Sequence, residues 1–74
     1  MAGKCNGHKN WNHWNVSLWI NNDELIYRTA VWYRDHYDTL DNAARAMAKS
    51  LRGERTPDGA PYSYTTIRAA MRGL

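Results

Sequence analysis

Apolar residues recur along this chain at two competing periods before the pattern settles into one. Between Trp11 and Ile20, the residues Trp14, Val16, Leu18 and Ile20 alternate as in a strand, while Trp11, Trp14 and Leu18 share one face of a helix. The helix is the preferred reading, because the following segments are helical and no second convincing strand is present to pair with. Asn21 followed three residues later by Glu24 resembles a helix start, with an amide at the cap and a carboxylate reaching back. A second helix then runs through DELIYRTAVWYRDHY. Its Ile26, Ala30, Tyr33 and Tyr37 form one stripe, flanked by Leu25, Thr29 and Trp32, and so wide an apolar face predicts a mostly buried helix.

The third helix has the clearest period. Asp38 or Thr39 caps it, Leu40, Ala43, Ala44, Met47 and Leu51 repeat at helical spacing, and Gly53 marks the stop. GERTPDGAPYS, with two prolines, two glycines and a Pro-Asp-Gly turn signal, reads as a loop. A last helix begins at Ser63 or Thr65 and turns Tyr64, Ile67, Met71 and Leu74 inward. Residues 1–9 show no periodicity and read as a flexible tail, leaving 10–74 as a single small domain. The predicted fold is all-α: a compact bundle of three to four short helices with a helix-loop-helix at the C-terminal end.

Composition sharpens this picture. At 74 residues the chain lies where one core only marginally stabilises a fold. Cys5 is the only cysteine, so no internal disulfide is available and a reducing compartment is the natural reading. Four Trp and five Tyr stand without a single Phe. Such rings bury much area per residue, but each carries a polar atom that requires a partner. Ten Lys and Arg against seven Asp and Glu give +3, a mildly basic balance that permits nucleic-acid contact without a strong electrostatic footprint. No apolar run approaches a membrane span and MAGKCNGHKN lacks the apolar stretch of a signal peptide, so no membrane is expected and a cytoplasmic site is.

Two resemblances follow from particular residues. Trp11, Trp14, Asn15, Val16, Leu18, Trp19, Ile20, Asn22, Asp23, Glu24 and Tyr27 fit the form W-x-x-W-N-V-x-L-W-I-x-N-D-E-x-x-Y. That form resembles the opening of small uncharacterised proteins carried by bacteriophages and prophages, which implies a phage origin and, with it, the cytoplasm of a bacterial host. In the second half, Thr56, Pro57, Gly59, Ser63, Thr66, Ile67, Arg68, Met71 and Arg72, with Tyr62 at an aromatic position, are similar to a helix-loop-helix in DNA-binding regions of large serine recombinases. The catalytic domain of those enzymes is absent here, so no recombination chemistry is implied.

Candidate chemistry is sparse. Asp23 and Glu24 are adjacent and would diverge by about 100° on a helix, which suits helix capping better than paired acid–base work. No nucleophile–base pairing, glycine-rich phosphate loop or carboxylate cluster stands out, and the chain reads as non-enzymatic with no cofactor. Cys5, His8 and His13, with His36 as a distant fourth, are a conceivable zinc set, but no paired finger spacing is present and a mobile tail is the simpler reading. On the last helix Thr65, Arg68 and Arg72 share one face at spacings of three and four, as in a helix that reads the major groove; Arg45, Lys49, Arg52 and Arg55 extend the basic character. The same residues serve equally as a solvated face. Trp14, Leu18 and Trp11 are expected to pack against the second and third helices, with Trp19 projecting from another face.

So many rings exceed what a small interior encloses, and the alternative is that all are core. The leading expectation is a phage-encoded binding protein that inhibits or modulates a host protein, a defence system such as CRISPR–Cas among the targets. Trp19, Trp32, Tyr33, Arg68 and Arg72 are its expected contacts. The alternative is a small DNA-binding regulator using the last helix. A virion component and a homodimer joined through aromatic surface are also compatible with these residues.

Overall fold

Asn10 opens the first helix by accepting the His13 backbone N–H on its side chain at 3.0 Å, a cap of the kind short amides favour. The computed structural model describes residues 9–74. Residues 1–8 of the predicted tail, with Cys5 and His8 of the metal set, lie outside them. The described part is all-α: α1 (Trp11–Asn22), α2 (Glu24–His36), α3 (Leu40–Ser50) and α4 (Tyr64–Met71). Among the described residues the extended pairing consists of one isolated antiparallel bridge, Arg55 to Pro61. The helical reading of residues 11–20 is therefore the one realised.

A single residue joins α1 to α2. Asp23 closes α1 by donating its backbone N–H to the Trp19 carbonyl, and its carboxylate accepts from Leu25 and Ile26 at 3.0 and 3.1 Å. The expected Asn21 cap is thus corrected to Asp23. Asn21 remains inside α1, where its amide donates to the Ser17 carbonyl at 2.8 Å, and Asn22 does the same to Leu18. Glu24 pairs forward with Arg28 instead of reaching back. Asn21 does not serve because α1 continues through Asn22, which leaves Asp23 as the one residue between the helices, its charge at the positive end of α2.

Thr39, rather than Asp38, caps α3 by accepting the Asn42 N–H at 3.0 Å, while Asp38 takes the Asn42 side chain. Gly53 adopts φ 83° just past the helix, a left-handed conformation that suits glycine. Residues 54–62 fold back as a tight loop: Gly59 N–H donates to Thr56 O and Thr56 N–H to Ala60 O, each at 2.8 Å. Ser63 then caps α4 in a reciprocal capping box with Thr66.

The core is built from Val16 and Ile20 of α1, Ala30 of α2, Ala43, Ala44 and Met47 of α3, Ala60 and Tyr62 of the loop, and Ile67, Ala70 and Met71 of α4. Five of these eleven are alanines, which lets the helices approach closely and leaves little interior for rings. Around this core α1 packs on α2 and α4, and α3 packs on α2 and α4.

Two burial expectations are corrected. The face of α1 that turns inward carries Asn15, Val16 and Ile20, whereas Trp11 and Leu18 remain 45% and 37% exposed and Trp14 is half-buried. Nor does α1 meet α3; its partners are α2 and α4. An apolar-only count missed this face because a buried amide interrupts it. Helix α2 is not mostly buried either: Ala30 is its one fully buried residue, Ile26 and Tyr33 pack partly, and Leu25, Tyr27, Trp32 and Tyr37 are exposed.

Candidate functional site

The amide that interrupts the α1 face is the centre of a polar hub. Asn15, 1% exposed, donates from Nδ2 to Asp58 Oδ2 at 2.9 Å and accepts the Thr56 hydroxyl on Oδ1 at 2.6 Å. Thr56 Oγ1 in turn accepts the Ala60 backbone N–H at 3.0 Å. Trp19 Nε1 donates to the same Asp58 oxygen at 2.9 Å. The hub ties α1 to the Thr-Pro-Asp-Gly turn, so the juxtaposed tryptophan and asparagine of the N-terminal segment acquire a structural role. Trp19, expected as a free contact, is half-buried with its polar atom committed to Asp58.

Those donors hold the Asp58 carboxyl below its ordinary range, first through Asn15 and then Trp19. The Arg68 side chain lowers Asp41, and Asn42 lowers Asp38. A carboxyl depressed in the fold contributes stability above its unfolded value and loses it as pH falls through the folded one. The urea midpoint is therefore expected to hold steady from neutrality down to about pH 4 and to decline below it, where unfolded aspartates begin to protonate. Asp58→Asn should flatten part of that decline; an acid limb identical to wild type would contradict Asp58's share in it.

Two surfaces remain. On the outward side of α2, Trp32 is 51% exposed and Leu25, one heptad earlier, 73%. Trp32 stacks on His36, with centroids 4.2 Å apart and planes within 17°, and meets Tyr33 edge-on at 5.1 Å. Tyr33 stacks on Tyr37 at 5.8 Å, and His36 Nδ1 lies 2.8 Å from the Trp32 carbonyl. Four rings of one helix end are thereby ordered against each other. Sequence reasoning placed Trp32 and Tyr33 here but assigned Tyr37 to the core and His36 to a metal set. The signal for the ladder was the i, i+4 spacing of Trp32–His36 and Tyr33–Tyr37. Among the described residues no group of three or more His, Cys, Asp or Glu is placed to hold a metal ion.

The second surface is basic. Arg68 forms an ion pair with Asp41 that ties α4 to α3, and this pairing raises the guanidinium's already high pKa. Arg72 and Thr65 are exposed beside it. Arg45 lies over the Tyr64 ring at 4.6 Å, while Lys49 in the last turn of α3 and Arg52 just past it are exposed. Arg55 separates from this set, since its guanidinium donates to the Gly59 carbonyl at 2.8 Å. The connection from α3 to α4 spans residues 51–63, far longer than the three- or four-residue turn of a helix-turn-helix.

Compared with known proteins, residues 1–74 match a family of unknown function, DUF7249, along the whole chain. The chain belongs to that family. No curated protein and no solved structure matches it. Among the described residues no helix is long and apolar enough to cross a membrane.

Proposed function

We propose that this chain is a non-enzymatic binding protein that docks a host protein onto the outward face of α2. The resemblance of its first helix to phage-borne proteins directs the search for that partner to the bacterial host, defence machinery included, where the chain would act as an inhibitor or modulator. The observation that carries this reading is Trp32: a half-exposed indole held in an ordered ladder of rings, on a helix whose inward face is already occupied.

Leu25, Trp32 and His36 lie at i, i+7 and i+11, with Thr29 between them, so α2 offers a second stripe of the sort that lies in a hydrophobic groove of a partner protein. Aromatic anchors of this type dominate protein interfaces because two torsions fix a large contact area. Asp38, Asp41 and Asp58 are each engaged by a structural donor of the fold.

The test is capture from a bacterial host extract on immobilised wild-type chain beside Trp32→Ala. A host protein retained by the first and lost from the second is expected. Identical retention by both chains, or self-association as the only Trp32-dependent event, would overturn the reading.

A further inference from the structure

Basic side chains gather around two open, shallow clefts of this small fold. Lys9, His13, Tyr64, Thr65, Arg68 and Arg72 border one open cleft between the start of α1 and α4. Arg45, Lys49, Arg52, Tyr62 and Tyr64 border a second, between α3 and the loop before α4. Tyr64 belongs to both, so the clefts adjoin across one ring. Six cations thus line a continuous path, and the acid bonded to it is Asp41, on Arg68.

We propose that this path is a nucleic-acid track, which grips the phosphodiester backbone without reading sequence and operates independently of the α2 face. Two features favour a polymer of phosphates. Arg45 and Lys49 lie one turn apart on α3 with Arg52 just past its end, and Arg68 lies on α4 with Arg72 as its C-cap, so the cations follow one another along both helices and their ends. Several cations in succession suit a backbone of repeating phosphates better than a lone anion. The path runs through two clefts rather than one, more than a single phosphate would span. Arg68 stays paired with Asp41 and Arg45 stays over Tyr64, so both are pre-oriented and give position rather than base discrimination.

Binding of fluorescent random-sequence duplex and single-stranded oligonucleotides, followed by anisotropy across a salt series, tests the track. About five phosphate contacts predict a log–log salt slope near −4.5 on duplex, or near −3.5 on single strand. Lys49→Ala with Arg72→Ala removes two exposed cations and should reduce the duplex slope by about 1.8, weakening binding at least tenfold at low salt. Arg28→Ala with Arg34→Ala removes the same charge from α2 and should leave the slope unchanged, as should Trp32→Ala. Circular dichroism melts confirm that each variant folds. Absence of salt-dependent binding to either oligonucleotide overturns the proposal. So do equal losses in the two double variants, which would reduce the effect to net charge. Equal binding to phosphatidylserine vesicles, lost in the same variant, would reassign the path to lipid and likewise overturn it.

Discussion

Replacing Asn15 with aspartate is expected to invert the pH dependence of this protein's stability. In the wild type, the Asn15 amide donates to Asp58 from a fully buried position and accepts from Thr56. Aspartate at that site keeps the shape, loses the donor and brings two carboxylates within hydrogen-bond reach of each other. Like charges so close cannot both ionise cheaply, so one must have its pKa raised in the folded state. A carboxyl raised in the fold favours folding below its unfolded value and opposes it as pH rises through the folded one. Asn15→Asp should therefore gain stability on acidification from neutrality toward about pH 4, over a range where the wild type is flat.

Asn15→Leu provides the uncharged comparison. It leaves Asp58 without one donor and the Thr56 hydroxyl without its acceptor, at a cost of about 1–3 kcal/mol. For a chain of this length, total stability is roughly 4–11 kcal/mol, so the melting temperature should fall by about 4–24 °C. Thermal and urea melts of the three proteins from pH 4 to pH 7 check both statements. A neutral-pH melt of Asn15→Leu matching wild type would remove the hub from the account of the fold.

Trp32→Ala is expected to do the opposite: little to stability and much to binding. Its indole is half-exposed and leans on His36 and Tyr33 of its own helix, so truncation removes contacts worth about 0.5–1.5 kcal/mol per aromatic pair at most. As an interface anchor, the same ring should be worth about 2–4 kcal/mol to a partner, a loss of roughly 30- to 1,000-fold in affinity. Ile20→Ala supplies the contrast, because deleting a fully buried side chain typically costs 2–5 kcal/mol of stability. Calorimetric titration of the captured partner, run with melts of both variants, separates an outward anchor from a core ring. A Trp32→Ala chain that melts like Ile20→Ala and binds like wild type would place Trp32 among the structural residues.

Much of the architecture was legible because it obeys one period. Ala43, Ala44 and Met47 repeat at helical spacing, Gly53 stops α3, Ser63 starts α4, and Ile67 and Met71 face inward as their spacing requires. The N-terminal half was harder for a physical reason. Helix α1 is apolar on more than one side, and its buried side includes an amide satisfied by residues some forty positions away. Only the long-range bonds to Thr56 and Asp58 identify that face, and hydropathy carries no trace of them. The cap of α2 falls to Asp23 and not Asn21 because α1 runs on through Asn22, an extension that a capping pattern does not show.

The candidate surfaces divide the same way. Excess aromatic residues were visible in the composition, and Trp32 indeed faces solvent, but Trp19 was drawn inward by its hydrogen bond to Asp58. Arg68 likewise spends its charge partly on Asp41. Which rings and cations remain available is set by pairwise contacts, not by helical position alone.

Hydroxyl-radical footprinting of the chain, free and bound to its captured partner, examines the outward face of α2 most directly. Strong labelling of Trp32 and Leu25 in the free protein, with protection centred on Trp32, Leu25 and His36 in the complex, is the predicted result. Weak labelling of Trp32 in the free chain, or protection confined to other helices, would contradict the role assigned to that face.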